Sequence, residues 1–84
     1  MEGFSFVLNF ILPVGTESPE ALVDALFEAG CDDATVGVSQ LGMIGLDFTR
    51  SADSAEAALR SAIQNVTSAI PGATLVQAGP IWWA

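Results

Sequence analysis

The side chains able to do chemistry in this chain are almost all carboxylates. Ten Asp and Glu stand against two arginines, with no lysine and no histidine. Four of them, Glu20, Asp24, Glu28 and Asp32, recur at every fourth residue. If one helix runs through all four, their side chains climb a single face in steps of about 6 Å, and Glu17 extends the row. Such a row repels mildly along its own length and attracts a basic surface from a distance. A solvated helix face and a functional ridge both fit the spacing. The first does not explain why no lysine is interleaved, since exposed faces generally mix both signs.

Catalysis finds little support. The adjacent Asp32 and Asp33 are the natural place to look for acid–base hydrolysis, but neighbours in a turn point apart, so a solvated loop is expected there. Serines and threonines are plentiful, yet none has an activating base in view. Cys31, Asp32 and Asp33 offer donor atoms, whereas zinc sites want several Cys or His at defined spacing, and no calcium-loop alternation exists. Cys31 directly after a helix reads as a small buried hydrophobe. No glycine-rich phosphate loop is present, and Gly37 and Gly45 inside strands suggest bulges or close backbone approach. The expectation is a non-enzyme with no cofactor and no metal.

The elements that must position these groups can be read from periodicity. Phe4, Phe6, Leu8, Phe10 and Leu12 alternate with Ser5, Val7, Asn9 and Ile11, which predicts a strand over 4–12 with one strongly apolar face, ended by Pro13 and Gly15. Ser18 as N-cap and Pro19 at the first helical position open a helix whose apolar stripe is Leu22, Val23, Leu26 and Phe27, with Gly30 as its stop. Strands over 35–39 and 43–49, joined through Gln40, Leu41 and Gly42, form a hairpin. In the second of these, Ile44, Leu46 and Phe48 share one face and Met43, Gly45, Asp47 and Thr49 the other. Asp53 and Glu56 resemble a capping box before a second helix with Leu59, Ala62, Ile63, Val66 and Ile70 as its stripe and Pro71-Gly72 as its end. Glu56 and Arg60 lie one turn apart and can pair. A last strand covers 74–77.

Strand, helix, strand, strand, helix, strand is the ferredoxin-like βαββαβ order: an α+β domain spanning 1–84, with a four-stranded antiparallel sheet and two helices on one face. The composition suits it, with 51% hydrophobic and 14% charged residues in 84 and no sign of disorder. The lone Cys31 and the lack of a basic region before the first apolar run favour a cytoplasmic setting. From Ser61 onward no residue is charged, but polar residues and Pro71-Gly72 interrupt that stretch, so no membrane span is expected. The sheet face away from the helices would carry Val7, Ile11, Met43 and Leu75 among Ser5, Asn9, Asp47 and Gln77, a surface suited to a protein partner or to a second copy. Trp82 and Trp83 are either interface anchors or a seal folded back over the sheet.

From about residue 6 to residue 80 the chain resembles the N-terminal accessory domain of small bacterial helix-turn-helix DNA-binding proteins. The stretches that carry this are EALVDALFEAGCDDATVG (20–37), GLDFTRS (45–51) and SAIQNVTSAIPGATLVQAG (61–79), above all the Gly-Cys-Asp-Asp turn and the Leu-Asp-Phe-Thr-Arg strand end. In that family the last strand leads into a helix-turn-helix. Here Pro80 is followed by Ile81-Trp82-Trp83-Ala84, so DNA binding is not carried over. A basic stripe for phosphate contact is also lacking.

Two functions are consistent with these features. The first is an inhibitor that places an acidic face in the basic nucleic-acid-binding groove of a protein or nucleoprotein complex. Size and charge are similar to those of anti-CRISPR proteins, some of which mimic nucleic-acid charge. Its contact residues would be Glu17, Glu20, Asp24, Glu28, Asp32, Asp33 and Asp47, with Trp82 and Trp83 as hydrophobic anchors. The second is an orphan regulatory or dimerisation module derived from a helix-turn-helix regulator. Either is compatible with a monomer or a homodimer, with no direct nucleic-acid or membrane contact.

Overall fold

The alternating apolar run at the N-terminus forms a strand longer than its periodicity predicts, β1 (Glu2–Ile11). It is followed by α1 (Pro19–Glu28), β2 (Ala34–Val38), β3 (Met43–Ala52), α2 (Ala55–Ala69), β4 (Thr74–Ala78) and a two-residue β5 (Trp82–Trp83). The computed structural model describes residues 2–13, 15, 19–38, 42–79 and 82–83, with Glu2, Pro19, Glu20, Val38, Trp82 and Trp83 by backbone alone. The expected N-cap Ser18 and the hairpin residues Ser39, Gln40 and Leu41 lie outside the described residues.

The sheet is antiparallel, in the order β2-β3-β1-β4. Phe6 is paired with Phe48, Leu8 with Leu46 and Phe10 with Ile44, so the bulky residues of both central strands project to one side. Leu22 and Leu26 of α1 and Ala58, Ala62 and Val66 of α2 meet them there in one buried cluster, which puts both helices on the same face. Large residues on the sheet face small ones on α2, and this lets the helix sit close to the strands. The Phe6 and Phe48 rings stack at 5.3 Å with 14° between planes.

Three local expectations are corrected. The cap of α2 is Ser54, not Asp53: the Ser54 hydroxyl oxygen accepts from the Ala57 N–H at 3.1 Å. The hydroxyl sits at the half-in position where the orphan N–H groups converge. Phe27, assigned to the buried stripe of α1, is 56% exposed, because the core contact is made one residue earlier, at Leu26. Leu75 is opposed in register to buried Phe10, on the helix side of the sheet. A register shift between Asn9 and Phe10 places it there, since one extra residue in a strand reverses the alternation.

The C-terminal tryptophans belong to a fifth strand that the sequence pattern did not predict. Trp82 and Trp83 pair in backbone register with Ser5 and Phe4. The Gly79 N–H donates to the Val7 carbonyl at 2.6 Å. β4 and β5 therefore run in line along the same flank of β1. All five residues of β4 are exposed, including Leu75 and Val76. Among the described residues no helix is long and apolar enough to cross a membrane.

Candidate functional site

Helix α1 stops because Gly30 takes φ +106°, a left-handed conformation that a side chain disfavours. The Gly30 N–H then donates to the Phe27 carbonyl at 3.2 Å and the Cys31 N–H to the Leu26 carbonyl at 2.9 Å. This is a Schellman termination, which satisfies two of the final carbonyls. It also cuts the acidic row. Asp24 and Glu28 project from the helix, whereas Asp32 lies in the turn beyond it, and all three are exposed. Exposed Phe27 sits on the same outward side, three residues from Asp24 and next to Glu28.

Asp33 points the other way. Its carboxylate takes both prongs of the Arg50 guanidinium, at 2.7 Å from Nε and 3.0 Å from Nη2. Arg50 also donates to the Gly30 carbonyl at 2.9 Å, to Ser61 Oγ at 3.0 Å and to Asn65 Oδ1 at 2.9 Å. Every one of its five N–H groups is matched. The guanidinium carbon lies 5.0 Å from the centre of the Phe48 ring, within cation–π range. One side chain thus ties the end of α1, the following turn, β3 and α2 together. The carboxylate of Asp33 holds the Arg50 pKa above its ordinary value against the opposing effect of burial. Asp33 is a structural residue in this arrangement and presents no free charge to a partner.

The clamp had a signal in the sequence that the motif reading did not use. Arg50 continues the alternation Ile44, Leu46, Phe48 onto the buried face of β3, where an arginine needs a carboxylate partner. The two most distinctive stretches, Gly-Cys-Asp-Asp and Leu-Asp-Phe-Thr-Arg, are the two that Asp33 and Arg50 join.

The remaining site residues do not converge on one surface. Asp47 is exposed and alternates with buried Leu46 and Phe48, so it lies on the sheet face opposite to α1. Glu20 is placed in α1 by its backbone, Glu17 lies outside the described residues, and Trp82 and Trp83 are placed by backbone on the β1 flank. The second arginine, Arg60, pairs with Glu56 on the surface of α2. Both cations of the chain are therefore engaged by carboxylates, and the acidic excess is carried by the other eight.

Cys31 is fully buried beside the clamp. Burial pushes its thiol above the ordinary 9.0, with Asp33 and Asp32 adding to the rise and Arg50 opposing it. A thiol so held is a poor nucleophile. The open sheet face carries two glycines among Val7, Ile11 and Met43. Gly45 makes room for Asn9, whose Oδ1 would lie only 3.0 Å from a β-carbon there, while Gly37 adjoins open space. Among the described residues no group of three or more Cys, Asp or Glu is arranged to hold a metal ion. No protein-family model, curated protein or solved structure matches this chain.

Proposed function

We propose that the chain is a cytoplasmic, non-enzymatic binding protein of the ferredoxin-like class, which occupies a basic nucleic-acid-binding surface of a partner complex and blocks it, as a DNA-mimicking or anti-CRISPR-type inhibitor does. One observation carries this reading. Asp24, Phe27 and Glu28 are exposed on α1 and Asp32 is exposed in the turn after it, while both arginines are committed to Asp33 and Glu56. No lysine or histidine dilutes that face. Carboxylates at the rim steer encounter with a basic groove, and an exposed aromatic ring gives the contact an apolar anchor. With no histidine, lysine or tyrosine in the chain, no side chain titrates between the carboxylates and the Cys31 thiol.

The test is displacement of a labelled DNA duplex from a panel of RNA-guided nuclease complexes, read by fluorescence anisotropy. The wild-type protein displaces DNA from at least one of them, less effectively as salt rises. The triple variant Asp24→Lys, Glu28→Lys, Asp32→Lys loses the effect, and Phe27→Ala weakens it by at least about tenfold. Equal displacement by the triple variant, or none by the wild type across the panel, contradicts the proposal.

A further inference from the structure

The turn between α1 and β2 is fastened at every residue but one. The Gly30 carbonyl accepts from Arg50 Nη2 at 2.9 Å, and a β-carbon at Gly30 would lie only 3.5 Å from Asn65 Oδ1, so α2 packs directly against it. Cys31 is held by its buried side chain, by its N–H on the Leu26 carbonyl and by its own carbonyl, which accepts from the Ala34 N–H at 3.3 Å. The Asp33 carbonyl accepts from the Thr49 N–H at 3.0 Å, and its carboxylate grips Arg50. Asp32 stands between these anchors, exposed, with no ion pair among the described residues. Stability alone does not call for an arginine at this place. A buried ion pair is often no more stabilising than an apolar side chain of similar volume, and residue 50 continues the alternation of buried Ile44, Leu46 and Phe48. What an apolar side chain could not do is fix the Gly30 carbonyl and the Asp33 carboxylate at once.

We propose that Arg50 is a positioning residue: through the turn it holds, it sets Asp32 against Asp24 and Glu28 of α1, so that the three carboxylates reach a basic partner as one preformed array. This rests on the inhibitor reading of α1 and deepens it, by giving the clamp a part in binding. The Schellman end at Gly30 carries Asp32 off the helix, so the helix itself no longer fixes where that carboxylate stands. The clamp takes over that task. A turn ordered before binding does not have to be ordered during it, and the affinity otherwise lost to ordering is retained. Asp33 matches the charge of Arg50 where it stands, so the turn is fixed without adding positive charge to the face. The partner this suits is one whose own cations are held at set positions, as on a folded nucleic-acid-binding surface. A flexible basic tail would adjust to the carboxylates wherever they stood.

A double-mutant cycle on binding tests this. The full chain is titrated against a labelled alanine-based helical peptide with arginine at every fourth residue, whose cations recur about every 6 Å, and binding is read by fluorescence anisotropy at low salt. Circular dichroism checks that each variant is folded. Asp32→Asn weakens binding by about threefold in the wild-type background. Arg50→Lys, which keeps the charge and loses the fork, weakens it by a similar factor, and Asp32→Asn added to it changes nothing more. The amide order parameters of Cys31, Asp32 and Asp33 fall from about 0.85 in the wild type towards about 0.6 in Arg50→Lys. Losses that multiply across the two substitutions, Asp32→Asn binding as the wild type does, or a turn as ordered in Arg50→Lys as in the wild type each overturn the inference. The inhibitor reading fails by a different result, equal peptide binding by the triple variant Asp24→Lys, Glu28→Lys, Asp32→Lys. If Arg50→Lys unfolds the chain, Asp33→Asn takes its place in the cycle, with the same outcomes.

Discussion

At the β2 side of the sheet, polar groups are matched one to one. Arg50 spends five donors on Asp33, Gly30, Ser61 and Asn65, and the charge of Asp33 is cancelled where it stands. At the β4 side, five consecutive residues are exposed and none is charged. The first arrangement closes the molecule on itself: an arginine 10% exposed, with its partners drawn from α2, the turn after α1 and its own strand, has all five donors taken and none left for a ligand. The second leaves apolar groups exposed on a strand whose one neighbour among the described strands is β1. Between the two, Asp24 and Glu28 of α1 are exposed, and among the described residues no ion pair cancels them. A charge on this surface is informative about partners only after the internally paired ones have been subtracted.

The contrast breaks most severely at the clamp. Asp33→Ala leaves the Arg50 guanidinium nearly buried without its carboxylate and is expected to cost about 2–3 kcal/mol, read as a fall in the urea midpoint. Arg50→Lys keeps the charge but not the fork and costs less, though still measurably. A smaller effect concerns alkaline stability. The folded state holds the Cys31 thiol above its ordinary 9.0, so the contribution of Cys31 is fully present below that value and is lost as pH rises through the raised folded value. No lysine or tyrosine titrates alongside it. Thermal melts should therefore fall with alkali in the wild type and stay flatter in Cys31→Ala. The smallest effect belongs to the exposed pair on α2. Its side chains are 68% and 77% exposed, and Glu56→Ala changes stability by less than about 0.5 kcal/mol, measured by the same urea titration. If Glu56→Ala matched Asp33→Ala, the distinction between a closed and an open flank would not hold.

The sheet and both helices were legible because period-2 and period-3.6 patterns are strong in Phe4 to Phe10, Ile44 to Phe48 and Ala58 to Val66. The misses have local physical causes. A Schellman turn at Gly30 ended α1 before Asp32, so a spacing of four did not make a row of four. A register shift at Asn9 and Phe10 moved Leu75 to the other side of the sheet, and no side-chain pattern announces a bulge. The clamp joins residues 17 apart in sequence. It was visible only as an arginine continuing an apolar alternation, a sign of a missing partner that does not say which of ten carboxylates supplies it. The fifth strand escaped because two residues are too few to show a period.

The central claim is that the carboxylates divide between two jobs: Asp33 closes the fold on Arg50, and Asp24, Glu28 and Asp32 meet a basic partner. Amide proton–nitrogen correlation spectra, recorded against nona-arginine as a basic probe, test it most directly. Nona-arginine should move the amides of Asp24, Phe27, Glu28 and Asp32 and leave β4 still. If it moves Thr74–Ala78 instead, or Val7, Ile11 and Asp47, that division is contradicted.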